Sequence, residues 1–167
     1  HFDGNNSLAL GYGFDLLVRS NAEVLASLSA AGLSDAAVGW VDGPDGTAAD
    51  KKAHDLNLLD IYRQSRSGLS RTEWKSRADK LFLKLPNEPK ATDLLNVLAA
   101  DAEAKLTQAL FSRGIQINDS RERLALVSMV FNGGLGIFGS SLQDSNLLDA
   151  LQAGNRVEAW YEIRYRS

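Results

Sequence analysis

Residues 120–142, SRERLALVSMVFNGGLGIFGSSL, constrain the fold more than any other stretch of this chain. Ser120 is a favourable helix N-cap, because its hydroxyl can accept from a backbone N–H that the first turn leaves unpaired. Leu124, Val127 and Phe131, with Ala125 and Met129, recur at helical spacing and predict a buried stripe on a helix over Ser120–Val130. Phe131-Asn132-Gly133-Gly134 then predicts an abrupt stop, since the glycines allow positive φ and can close a helix. A second small-residue turn follows at Gly139-Ser140-Ser141.

The remaining chain sets the class. Its 167 residues suffice for one domain with a substantial core, and 44% hydrophobic against 23% charged residues is a globular balance. No apolar run is long enough to span a bilayer. Cysteine is absent, which excludes disulfides and thiolate chemistry and leaves the compartment open. The two histidines, His1 and His54, are too few and too far apart for a zinc site. A net charge of −3, with no basic stripe interleaved with aromatics, argues against nucleic acid as a partner. The chain starts without Met and stops just after an amphipathic segment, so it reads as a piece of a longer polypeptide, with no signal peptide.

Turn and strand signals fill residues 1–19: the cluster Asp3-Gly4-Asn5-Asn6, then Leu8 to Phe14 around Gly11-Tyr12-Gly13. Ser20-Asn21-Ala22-Glu23 is a capping box, opening a short helix on Val24, Leu25 and Leu28 that stops at Gly32. Another helical turn is expected over Ser34–Trp40, a surface loop over 42–50, and a helix from about 50 to 66. Ser70-Arg71-Thr72-Glu73 is a second capping box, whose helix ends before Pro86. Residues 86–91 read as a connector, and Thr92 as the cap of a long helix with Leu95, Leu98, Ala102, Leu106 and Ala109 on one face. Ser145 caps a helix ending at Gly154, and Asn155 opens the last one. The expectation is an α+β, mostly helical chain: a hairpin region over 1–19, a helical insertion over 20–91 and a helical lobe over 92–167.

Two separated blocks carry a family resemblance. TDLLNVLAADAEAKLTQALFSRGIQINDSRERLALVSMVFNGG, continued by SNLLDALQAGNRVEAW, resembles the helical lobe of the phage-type lysozymes across roughly residues 92–161. FDGNNSLALGYGFDLL resembles the hairpin strand and Gly-x-Gly turn of the same enzymes. Residues 33–91 have no clear counterpart, and an insertion there resembles the antibacterial branch, type VI secretion effectors and pesticin-like toxins. The resemblance implies a lysozyme-like fold, a single domain over 1–167 with a hairpin lobe, a helical lobe and a cleft between them. It implies a secreted muramidase that cleaves the β-1,4 bond between N-acetylmuramic acid and N-acetylglucosamine in the wall of a target bacterium. Peptidoglycan strands would be the substrate and an immunity protein a partner, with no cofactor.

The family pattern is a Glu, an Asp nine positions on, and a Thr six positions later, just before Gly-x-Gly. With the glycines on Gly11 and Gly13, Asp3 takes the aspartate position and Ala9 the threonine position. The glutamate would fall upstream of His1. A second register would make Asp3 itself the stand-in for that glutamate. Glycoside cleavage needs one carboxylic acid to protonate the leaving oxygen and a carboxylate to steady the oxocarbenium or activate water. Asp3 and Asp15 are therefore the catalytic candidates; Ala9, Tyr12, Phe14, Asn132 and Gly133 are the substrate-binding ones. Each has a bland alternative. Asp3 could begin a turn, Asp15 could cap a turn of helix, Tyr12 and Phe14 could pack in the core, and Asn132 could only terminate its helix. Glu103, Glu122, Glu158 and Glu162 read as solvated helix faces, and Lys51-Lys52 as exposed charge. Trp160, Tyr161 and Tyr165 are expected to line the cleft or to pack the terminal helix onto the core. The readings from other classes are a catalytically inactive wall-binding domain, favoured by Ala9, and an interaction domain of a secreted assembly. A lysozyme-like glycosidase acting on chitosan is a weaker enzyme alternative.

Overall fold

The computed structural model describes residues 8–65, 69–139, 142 and 144–165, the last without its side chain. The protein is α+β and mostly helical, with one small antiparallel sheet among the described residues. It divides into two compact units, residues 1–97 and 98–167, the boundary falling inside one long helix.

The first unit begins with a hairpin. Strands β1 (Ala9–Leu10) and β2 (Phe14–Asp15) pair with Leu10 opposite Phe14 and Ala9 opposite Asp15. Leu16 N donates to Leu8 O at 2.9 Å and extends the ladder. Gly11 (φ +58°) and Gly13 (φ +100°) hold the turn in left-handed backbone, which residues with a Cβ rarely adopt. Leu8, Leu10, Phe14, Leu16 and Leu17 are all buried.

Three helices of this unit open on the reciprocal caps written in the sequence: α1 (Asn21–Ala30) on Ser20/Glu23, α2 (Ala48–Gln64) on Thr47/Asp50, and α3 (Arg71–Asp79) on Ser70/Glu73. Residues 34–40 form only a 3-10 turn, Ala36–Val38, instead of a longer helix. Gly39 closes it at φ +92°, and a Cβ there would lie 2.5 Å from the Phe82 carbonyl oxygen, so backbone shape and close approach both demand glycine. A segment without regular secondary structure, 80–86, lies alongside, with Lys84 N donating to Val38 O at 2.9 Å.

Asp55, on α2, is wholly enclosed. Its carboxylate accepts from Trp40 Nε1 (2.8 Å), Phe82 N (3.0 Å) and Leu83 N (2.7 Å). A buried carboxylate is tolerable only when its lone pairs are met, and three donors meet them here. Arg63, two turns on, donates to Asn21 Oδ1 (2.8 Å), Asp60 Oδ1 (2.6 Å) and the Leu16 carbonyl (3.0 Å), tying α2 to the hairpin exit. Arg77 lies over the rings of Tyr62 (4.7 Å) and Trp74 (5.2 Å) and so joins α3 to α2.

The long helix α4 (Glu88–Ser112) starts four residues before the expected Thr92 cap. Asn87 takes the capping role, its Oδ1 accepting from Lys90 N at 3.1 Å, and Pro89 fits the first turn, whose N–H groups have no helical partner. Thr92 is inside the helix, its hydroxyl donating to the Glu88 carbonyl at 3.1 Å.

The second unit packs Leu106 and Leu110 of α4 with Leu126 and Val130 of α5 (Arg121–Gly133), Phe138, and Leu147 and Leu148 of α6 (Asn146–Gln152). The last helix, α7 (Arg156–Tyr165), packs on α6 through Ala159. Two arginines bind the helices together. Arg123 donates to Glu103 Oε1 (3.1 Å), Thr107 Oγ1 (2.7 Å) and the Ile117 carbonyl (3.3 Å). Arg113 donates to Asp149, to the Leu142 carbonyl (2.7 Å) and to Gln152 Oε1 (3.2 Å).

Several expectations change here. Helix α5 runs through Asn132 to Gly133 and passes directly into a 3-10 turn, Gly134–Phe138, so the first glycine does not stop it. Leu126 and Val130 are its fully buried residues; Val127, Met129 and Phe131 of the expected stripe are partly buried against the same core, whereas Leu124 is 68% exposed. Glu162 is buried, not a solvated face. Lys51 is buried too, its ammonium 5.1 Å over the Phe82 ring, whereas Lys52 pairs with Asp35 at 2.9 Å. Trp160 and Tyr161 are exposed on α7 and do not fasten it to the core.

Asp55→Ala leaves three donors without an acceptor, at roughly 1–3 kcal/mol for each buried one. It should lower the thermal midpoint by more than about 5 °C for a chain of this size. Asp55→Asn should fail to rescue it, since an amide presents two further donors to that site; a midpoint unchanged in either variant would refute the role. The caps respond to pH as well. Hydrogen bonds from the Ser70 hydroxyl and backbone hold the Glu73 carboxyl below its ordinary range, and those of Thr47 do the same for Asp50. A depressed carboxylate stabilises the fold above its unfolded pKa and loses that contribution as pH falls through the folded value. The protection of the Ser70 and Thr47 amides, taken relative to free-peptide exchange at each pH, should therefore fall on acidification below the ordinary carboxylate range, and Glu73→Gln should flatten the response at Ser70.

Candidate functional site

The hairpin turn borders an open groove of about 600 Å³, within the roughly 300–1,000 Å³ usual for small-ligand sites. Its polar lining comes from Tyr12, Asp79, Lys84, Asn87 and Glu88, and its apolar lining from Leu10, Leu83 and Leu85. Local structure fixes each side. A Cβ on Gly11 would meet Leu85 Cδ1 at 3.0 Å and Ala91 Cβ at 3.3 Å, so the turn lies tightly against the segment leading into α4. That segment is clamped from behind, Leu83 N on Asp55 and Lys84 N on Val38 O. Glu88 stands in the first turn of α4.

Tyr12 is the aromatic ring on this rim, 49% exposed. Its hydroxyl donates to Glu88 Oε1 at 2.8 Å, which fixes the ring orientation. That hydrogen bond, with some desolvation and the negative charge of Glu88, raises the phenol pKa above its ordinary value. Asp79 is neutralised by Lys75 at 2.9 Å. The groove thus combines an oriented aromatic face, apolar patches, one ammonium, one amide and carboxylate oxygens. This mixture suits a polyhydroxylated ligand with apolar ring faces and polar edges.

The other candidates from the sequence take varied places. Asp3 lies outside the described residues. Asp15 is half-buried, and its Oδ1 accepts from Leu17 N at 2.8 Å, so it caps the turn that leaves the hairpin. Ala9 is enclosed in β1 and Phe14 is 1% exposed with the Arg19 guanidinium 4.9 Å over its ring; both pack in the core and neither side chain faces the groove. Asn132 is exposed on the last turn of α5, its Nδ2 donating to the Ser128 carbonyl at 2.8 Å. Gly133 is required by packing, since a Cβ there would collide with Ile137 Cγ2. Tyr12 belongs to the first unit and Asn132 to the second.

Sequence reasoning missed Asp79, Lys84, Asn87 and Glu88. Asn87-Glu88-Pro89 carried a helix-start signal, an amide N-cap followed by an acid and a proline in the first turn. The apolar run from Thr92 onward drew the boundary away from it.

Among the described residues no group of three or more His, Asp or Glu side chains is placed to hold a metal ion, and no helix is long and apolar enough to cross a membrane. Searches against family models, curated proteins and solved structures find no match to this chain.

Glu88→Gln removes the charge that holds the Tyr12 proton. A raised phenol pKa marks a proton retained in the folded state, so the associated stability is present below the unfolded pKa and lost as pH rises through the folded one. In an NMR pH titration, Tyr12 should ionise above an ordinary tyrosine in the wild type and at lower pH in Glu88→Gln. An unchanged Tyr12 titration would show that the pair is not formed in solution.

Proposed function

We propose that this chain is the lytic domain of a lysozyme-type peptidoglycan hydrolase, with a lysozyme-like arrangement of hairpin and helices. It cleaves the glycan between N-acetylmuramic acid and N-acetylglucosamine and acts as a secreted antibacterial protein in the wall of a target cell. The observation that carries the reading is the hairpin. Gly11 and Gly13 both take left-handed backbone where the resemblance requires Gly-x-Gly, and Ala9 sits in the strand entering that turn, six residues after Asp3. The groove beside the turn offers the mixed surface a sugar needs.

In this reading Asp3 supplies the carboxylate that steadies positive charge at the anomeric carbon or activates water, and an acid preceding it in the polypeptide protonates the leaving oxygen. Asp15 acts as a positioning residue through its bond to Leu17 N. Ala9 gives a second reading its one support: with a methyl group where the family has a hydroxyl, water is less well oriented, and the domain would bind the wall without cutting it.

Asp3→Asn separates the two. It removes a negative charge needed chiefly in the transition state, so turnover should fall by roughly 100-fold or more with a small change in substrate affinity. Clearing of a peptidoglycan suspension and release of reducing ends measure the first, and sedimentation with purified wall the second. With the preceding acid present in the polypeptide, wall binding without lysis would establish the binder; equal lysis by wild type and Asp3→Asn would remove Asp3 from the chemistry.

A further inference from the structure

Lys84 is the one groove-lining cation, and it pairs with no carboxylate among the described residues. Of the nearby lysines, Lys75 holds Asp79 and Lys90 holds Asp93 at 3.0 Å. The Lys84 backbone is held by Val38 O and its neighbour Leu83 by the buried Asp55, so the ammonium hangs from a rigid segment. Asn87 spends its carbonyl oxygen on the α4 cap, and no described group accepts from its Nδ2. The two side chains offer donors suited to a carboxylate. Glu88 and Asp79 offer acceptors suited to hydroxyl or amide hydrogens. The Tyr12 ring, already oriented by Glu88, is immobilised before a ligand arrives, which lowers the entropy lost on stacking.

We propose that this groove is a glycan subsite that reads an acid: the Tyr12 ring stacks on an N-acetylhexosamine while Lys84, assisted by Asn87, pairs with a carboxylate carried by the adjoining sugar. The inference rests on the lytic reading above and deepens it. Apart from Tyr12, its residues lie within 79–88, outside both blocks that carry the family resemblance. In a wall glycan the acid is the lactyl carboxylate of an N-acetylmuramic acid that has lost its peptide, so the groove selects bare strands. The nearby Glu88 carboxylate disfavours an anion at its end of the groove and so sets the direction of the strand.

Calorimetric titration of the whole chain with two disaccharides tests this. One joins N-acetylglucosamine to N-acetylmuramic acid with its lactyl carboxylate free; the other, diacetylchitobiose, is similar in size and has no acid. The acidic sugar should bind about fivefold more tightly at low salt, the upper range for a partly exposed ion pair, and the preference should shrink as salt rises. Lys84→Met, which keeps the apolar stem, should abolish the preference while leaving chitobiose affinity and the thermal midpoint unchanged. Lys84→Arg should retain it, and Tyr12→Ala should weaken both sugars. Equal affinity for the two sugars, no binding of either, or a preference that survives Lys84→Met would overturn the subsite. Wall clearing measured in parallel keeps the two readings apart. Lysis without a Lys84-dependent preference defeats the subsite alone, and the preference without lysis, in a polypeptide that includes the preceding acid, defeats the hydrolase alone.

Discussion

The buried carboxylate of Asp55 is the interaction on which the first unit depends. One side chain on α2 accepts from the indole of Trp40 and from two successive backbone N–H groups at 82 and 83. Segment 80–86 has no regular secondary structure, so its amides need partners from outside any helix or ladder. Asp55 supplies them, and Val38 O supplies the next. The cost of burying a charge is offset only because every donor converges within hydrogen-bonding distance. Removing the carboxylate therefore does more than delete a contact. It frees the segment that carries Lys84 and precedes Glu88, and the groove loses one wall.

The hairpin is held with comparable economy. It has two residue pairs, too few to be stable alone in water. Burial of Leu8, Leu10, Phe14, Leu16 and Leu17 holds it to the rest of the unit, and Arg63 closes its exit by bonding the Leu16 carbonyl. What remains outward is Tyr12, at the tip of a turn that only glycines on both sides permit. The same packing that removes Phe14 from any ligand surface thus leaves Tyr12 as the ring available to one. In the second unit the corresponding ties are Arg113 and Arg123, whose planar forks reach several acceptors each.

The local rules were legible in the sequence wherever a side chain acts on its own backbone. The reciprocal caps at Ser20/Glu23 and Ser70/Glu73, the N-caps at Ser120 and Ser145, and the left-handed glycines at 32 and 154 all appear where residue chemistry requires them. Each involves partners within about five positions, so the chain needs no tertiary information to specify it. The hairpin is of the same kind, because Gly-Tyr-Gly between two apolar runs leaves few other conformations.

Which face of a helix turns inward was a different matter. Periodicity gave α5 a stripe at Leu124, Val127 and Phe131; Val127 and Phe131 do pack partly against the core, yet Leu126 and Val130 are the residues that fill it and Leu124 faces out. Apolar residues on that helix occupy more than one face, and only the positions of α4 and α6 choose between them. Burial of Asp55, Lys51 and Glu162 is likewise invisible to a reading of adjacent residues, because the groups that enclose them lie elsewhere in the chain. The groove follows the same rule: Tyr12 and Glu88 stand 76 positions apart and meet through one hydrogen bond. The sequence alone determined the caps, the turns, the mostly helical class and the exclusion of thiolate chemistry, since these depend on composition and short-range geometry. Tertiary structure alone decided the inward faces, the buried charges and the lining of the groove, since each requires distant residues to share a solvent-free space.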